Sequence, residues 1–155
     1  MGASPANIAR HGALLTCQLV CYDKLNQLRH VRFLPDKAAV EAHMAKHAEI
    51  MRPKFEFILD VFEKELSGTG TWSQPKGGYF ICYYAPEGCA RRIVELCRDA
   101  GVTLTPAGSP YPHGIDPKDS TIRIAPTYPP FSELRLVIEL FPVAVKIAVA
   151  EKYGN

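Results

Sequence analysis

Between Thr71 and Pro126 the chain alternates strand-like runs with turn residues: TWSQPKGGYFICYY, then GVTLTPAGSPY, then DSTIRIAP. Short apolar runs punctuated by Gly and Pro predict a small sheet rather than a helical bundle. The last run carries a lone arginine, Arg123, between Ile122 and Ile124. Side chains alternate along a strand, so Arg123 faces away from its two apolar neighbours. A planar fork of donors on a rigid strand suits the two parallel hydrogen bonds of a carboxylate. The same arginine could instead make a structural ion pair within the sheet.

Helices frame this region. Val40, Met44, Met51, Phe55, Ile58, Phe62 and Leu66 recur at steps of three, four or seven, one apolar stripe on a long helix. Asp36 is placed to cap its start, with Glu41 in the first turns. Pro53 predicts a kink, and Ser67-Gly68 with Gly70 the end. A helix this long in a modest domain suggests a bridge between two lobes, with part of the stripe serving something outside the chain. Upstream, DKLNQLRHVRFL is mixed in polarity and ends at Pro35. Residues 1–22 allow either one helix broken at Gly12 or a helix followed by a strand-like run. Downstream, strands are expected at Trp72–Ser73 and Tyr79–Tyr84 around a Pro75-Lys76-Gly77-Gly78 turn. A helix from Ala90 to Ala100 ends at Gly101, and a strand follows at Val102–Thr105. An irregular loop spans Pro106 to Ser120. A strand is expected at Thr121–Ala125 and a last helix at Ser132–Lys152, kinked at Pro142. The fold class is α/β in the α+β sense: a small mixed sheet covered by helices, with one long proline-kinked helix. Two segments are expected, an N-terminal piece 1–34 and a domain 35–155.

Composition narrows the function. The 155 residues are one domain's worth, 47% hydrophobic and 22% charged, as in ordinary globular proteins. A net charge of +2 without a basic block gives nucleic-acid binding no electrostatic support. The apolar runs IARHGALLTCQLVCY and VIELFPVAVKIAVA are too short or too interrupted to span a bilayer. The N-terminus has no secretory pattern, and the sixth residue of MGASPA is not the Ser or Thr of a myristoylation motif. The cytosol is the expected compartment. Five cysteines, an odd number, argue against a disulfide framework. Cys17 and Cys21 share a helical face, but no second close pair completes a zinc site. Cys82 and Cys97 are expected to be buried and inert.

Other residues invite bland readings. His43 and His47 have metal-capable spacing but lack the H-E-x-x-H glutamate and a third ligand, so no metal is expected. Arg29, His30 and Arg32 read as a solvated face, with phosphate or partner contact as the alternative. Tyr79, Tyr83 and Tyr84 read as sheet aromatics in the core. Gly77-Gly78 is turn chemistry, with close backbone approach to a ligand as the sharper reading. His113 sits in the Pro-rich loop without a recognisable companion for nucleophilic catalysis.

The segments DKLNQLRHVRF (23–33), HMAKHAEIMRPKFE (43–56), GTWSQPKGGYF (70–80), GVTLTPAGSPYPHG (101–114) and STIRIAPTYPP (120–130) together resemble the C-terminal part of a class I, fold-type-I pyridoxal-phosphate-dependent aminotransferase. Their order and spacing are most similar to the aspartate aminotransferase-like subgroup. The resemblance implies a small domain that closes over substrate against a large domain holding pyridoxal 5'-phosphate. It implies that Arg123 binds the substrate α-carboxylate, and that Gly77, Gly78 and the loop from Pro106 to Tyr111 lie near the domain interface. The substrates implied are an acidic amino acid and a 2-oxo acid, and the partner a homodimer mate or the large domain. The cofactor lysine and the residues holding the phosphate and pyridine nitrogen are expected upstream of this sequence; Lys24 matches a position past that lysine. The isolated chain is therefore expected to be inactive. The alternative is a non-catalytic truncated domain that self-associates or pairs with a large-domain chain.

Overall fold

The computed structural model describes residues 2–19 and 22–154. Contacts divide the chain into two compact units, residues 1–47 and 48–155.

The first unit is helical. Helix α1 (Pro5–Gln18) starts at Ser4, whose hydroxyl accepts from the Asn7 N–H, with Pro5 in the first turn where no backbone donor is needed. It runs unbroken through Gly12, so the break expected there is absent; residues 20 and 21, at the end of the expected strand-like run, lie outside the described residues. The Thr16 hydroxyl donates to the Gly12 carbonyl at 2.8 Å. Helix α2 (Lys24–Phe33) is capped by Asp23, whose carboxylate accepts from the Asn26 N–H at 2.9 Å. Helix α3 (Lys37–Leu66) begins where expected, the Asp36 carboxylate accepting from Ala39 at 2.8 Å, and its first part belongs to this unit. None of the described residues up to His47 is buried.

The second unit holds the core. Strands β1 (Thr71–Trp72), β2 (Ile81–Tyr84) and β3 (Thr121–Ile124) form a three-stranded sheet in that order, every pairing antiparallel. Helix α4 (Ala90–Asp99) lies between β2 and β3 in the chain, and α5 (Phe131–Tyr153) follows β3. Ile81, Tyr83, Ile122 and Ile124 share the inner face and pack with Ile58, Phe62 and Leu66 of α3 and with buried residues of α4 and α5. Tyr83 sits among Phe62, Trp72 and Phe141, ring centroids 5.5, 6.4 and 5.3 Å away. This is the small helix-covered sheet expected of the sequence, though wholly antiparallel rather than mixed.

Several expectations change. The apolar stripe of α3 is buried only at Ile58, Phe62 and Leu66, while Met44 is 63% exposed. Val102–Thr105 forms no strand. Gly101, at φ 86°, and Val102 close a Schellman turn on Arg98 and Cys97, and Val102 and Leu104 then pack on the core without a ladder partner among the described residues. Pro106 removes the next donor, and alternation cannot distinguish a packed extended segment from a paired strand. Cys82 is only half-buried, because it points to the outer face of β2, whereas Cys97 is buried. Tyr79 is 53% exposed and precedes β2, so it is no core aromatic. Cys17 is exposed; Cys21 lies outside the described residues. Among the described residues, no helix is long and apolar enough to cross a membrane.

Candidate functional site

The register fixes what surrounds Arg123. It pairs with Cys82 across the β2–β3 ladder, and Thr121 pairs with Tyr84. These four side chains stand on the face opposite the core. The Arg123 guanidinium carbon lies 4.5 Å from the centroid of the Phe80 ring, a cation–π stack. Its Nε is buried without a hydrogen-bond partner among the described residues. None of the ion pairs among the described residues includes Arg123. The structural ion pair that the sequence left open is thus absent among the described residues. A half-buried cation lies over an aromatic ring, with no ion partner among the described residues.

The loop from Pro106 to Ser120 borders this face and is irregular, as expected. Its order comes from Asp116, whose two carboxylate oxygens accept from the N–H groups of Lys118, Ser120 and Thr121 at 3.0, 2.9 and 2.8 Å. Burial alone would raise the Asp116 pKa, but these hydrogen bonds outweigh it and hold the carboxyl below its ordinary value. A side chain at Gly108 would collide with the Gly114 carbonyl, so the loop doubles back tightly on itself. Tyr111, carried on this loop, places its hydroxyl 3.2 Å from the Thr121 Oγ1. Tyr84 ionises above its usual value, first because of burial and then because of Cys82 and Tyr111 nearby. Arg123, Tyr84, Tyr111 and Thr121 therefore line one polar strip, bordered by the exposed ring of Phe80.

Gly77 and Gly78 lie on the exposed β1–β2 connection. Gly78 has φ 85°, a backbone conformation that side chains resist, so turn geometry accounts for it. The rings of His43 and His47 lie 4.5 Å apart, and no cluster of three or more metal-capable side chains occurs among the described residues. Burial pushes the Cys97 thiol up to about 11, which suits an unreactive core thiol. Phe80 was not singled out by the sequence. The P-x-G-G-Y-F run contains it, but only strand register shows which cation it covers.

A pyridoxal cofactor requires an amine free to form an imine, a carboxylate for the ring nitrogen and donors for the phosphate. Lys54 gives its ammonium to the carbonyls of Thr127 and Pro129 at 2.8 and 2.6 Å, and Lys146 pairs with Glu65. A small cavity of about 120 Å³ beside Arg91, Asp116 and Asp119 contains no lysine. The described residues do not assemble into such a site.

Comparison with known proteins supplies the context. The family model described as aspartate amino-transferase matches residues 1–155. The chain belongs to the aspartate aminotransferase family. An aspartate aminotransferase of Corynebacterium glutamicum is 41% identical over 135 residues, covering 86% of this chain and 31% of that protein. A Mycolicibacterium smegmatis relative described as an aminotransferase is 39% identical over 153 residues, covering 97% of this chain and 36% of its own length. The crystal structure of an aspartate transaminase from Corynebacterium glutamicum superposes with a TM-score of 0.87 at 36% identity, over 98% of this chain and 36% of that one. This member of the family thus corresponds to a C-terminal part of such an enzyme and spans about a third of the length of the curated relatives it matches.

Proposed function

We propose that the chain serves as the substrate-closing small domain of a pyridoxal-phosphate-dependent aminotransferase acting on an acidic amino acid and a 2-oxo acid, with Arg123 binding the α-carboxylate. The observation that carries this reading is the unneutralised guanidinium stacked on Phe80 at the outer face of the sheet. A cation kept half out of water costs free energy unless an anion arrives, so the site favours a ligand that brings its own negative charge. A carboxylate meets the fork with two hydrogen bonds, which fixes orientation as well as position. Closure over the bound acid would exclude water from the reacting centre. The cofactor belongs to this reading through the family, and its binding groups are assigned to residues other than those described. Gly77, Gly78 and Tyr111 are assigned to the interface with the large domain.

The boundary after residue 34 belongs to the same proposal; the interruption between α2, ending at Phe33, and α3, starting at Lys37, supports it, whereas the contacts divide the chain after His47. So does a cytosolic setting with a homodimer or large-domain partner, in keeping with four described cysteines that are all free. The chain alone is proposed to be inactive.

The test is a graft. This chain replaces the matching third of the Corynebacterium glutamicum aspartate aminotransferase, and transamination of L-aspartate is followed. Arg123→Ala is expected to lower kcat/KM by about 30-fold to several thousand-fold, the range for leaving a desolvated charge partner unpaired. An unchanged KM for both the amino acid and the oxo acid would refute the assignment.

A further inference from the structure

We infer that Phe80 is a positioning residue for Arg123, and that the pair presents the two terminal guanidinium nitrogens as the gripping edge for a planar carboxylate. This rests on the carboxylate reading of Arg123.

An arginine on a strand has four rotatable side-chain bonds and would ordinarily sample many orientations. Here two features restrict it. The Arg123 guanidinium carbon lies over the Phe80 ring, 4.5 Å from its centroid. Nε is withdrawn from solvent and has no acceptor. The terminal nitrogens, which also lack a partner among the described residues, are not buried. A ligand therefore meets these nitrogens in the guanidinium plane, where a carboxylate's two oxygens match their spacing. The backbone explains how Phe80 comes to be there. It immediately precedes β2, whose register begins at Ile81 opposite Ile124, so Phe80 is released from the ladder beside Arg123's strand. Phe80 is 44% exposed, which the burial of a core aromatic would not leave. An exposed phenylalanine stacked on a charge-bearing strand residue is better explained by holding that charge than by packing.

The experiment uses the full 155-residue chain. The Arg123 Nε–H resonance is assigned by its loss in Arg123→Lys, and the chain is titrated with succinate, a dicarboxylate probe. Ring-current shielding from Phe80 should set this resonance upfield of the other arginines, and succinate should shift it. Phe80→Leu keeps apolar bulk but removes the ring: the resonance should move into the arginine envelope and the apparent succinate affinity should fall about threefold to tenfold. Phe80→Trp should restore both, while the thermal midpoint and the backbone signals of Ile122 and Ile124 stay put; a merely structural role would move those instead. If succinate shifts wild-type Arg123 and Phe80→Leu leaves both shift and affinity unchanged, the positioning role is wrong and the carboxylate reading stands. If succinate leaves wild-type Arg123 untouched, the carboxylate reading fails and takes this inference with it.

Discussion

Tyr83 shows how a single residue can be both central and poorly satisfied. It is fully buried between β1, α3 and α5, yet its hydroxyl has no hydrogen-bond partner among the described residues. Burial pushes the phenol up to about 12, with the Cys89 thiol nearby adding to the shift. The neighbouring chain has adapted to its size: a Cβ at Gly70 would run into the Tyr83 phenol ring and the Tyr84 carbonyl. The ring contributes packing and the oxygen contributes a desolvation cost. Tyr83→Phe keeps the first and removes the second, so it should raise stability by about 1 kcal/mol, read as a higher urea midpoint at unchanged slope. A lower midpoint would mean that the hydroxyl finds a partner in solution.

At the scale of elements, the Pro106–Ser120 loop does work that a sheet strand would otherwise do. The α4 N-terminus receives no side-chain cap from Cys89; instead the Asp119 carbonyl accepts from Ala90 at 2.8 Å and its carboxylate from Arg91 at 3.1 Å. Asp119 can be placed there because Asp116 gathers the N–H groups of the following residues. The Asp116 carboxyl titrates below its ordinary value of 3.8, so it binds protons less readily folded than unfolded. Its contribution is therefore present above pH 3.8 and is lost as pH falls through the lower folded value. Asp116→Asn should have a lower thermal midpoint than wild type at neutral pH, and the gap should close as the pH is taken below that range. A gap constant with pH would assign the loss to something other than the charge. None of this capping was legible in the sequence, because the cap comes from nearly thirty residues away. What could be read was local: the Asp36 cap, the Gly68 and Gly101 stops, the apolar stripe and the strand holding Arg123. At Met44 the stripe leaves the core, because periodicity reports which face is apolar and not what covers it. Likewise, Arg123's lack of an ion partner and its Phe80 cover depend on register, which only the folded sheet supplies.

For the molecule as a whole, apolar burial is unevenly distributed. The second unit has a continuous core, whereas in the first Leu25, Val31, Phe33 and Leu14 are 72%, 62%, 65% and 58% exposed. At about 25 cal/mol per Å² of apolar surface removed from water, unburied side chains contribute little to holding a helix. Helices of 14 and 10 residues are themselves marginal in water. Backbone amides of α1 and α2 should therefore exchange with deuterium close to unprotected rates in the isolated chain, while those near Ile93, Ile138 and Phe141 exchange only on global unfolding. The measurement is hydrogen exchange at several protein concentrations. Protection of α1 and α2 that rises with concentration would favour the self-associating alternative, because copies of the chain would then be covering these side chains. Core-level protection at every concentration would contradict the prediction outright. Fast exchange throughout would fit the proposed enzyme, in which the remaining two thirds of the relatives' length corresponds to the surface that these helices lack here. Their apolar faces would then be neither defects nor core, but the half of an interface that this chain contributes.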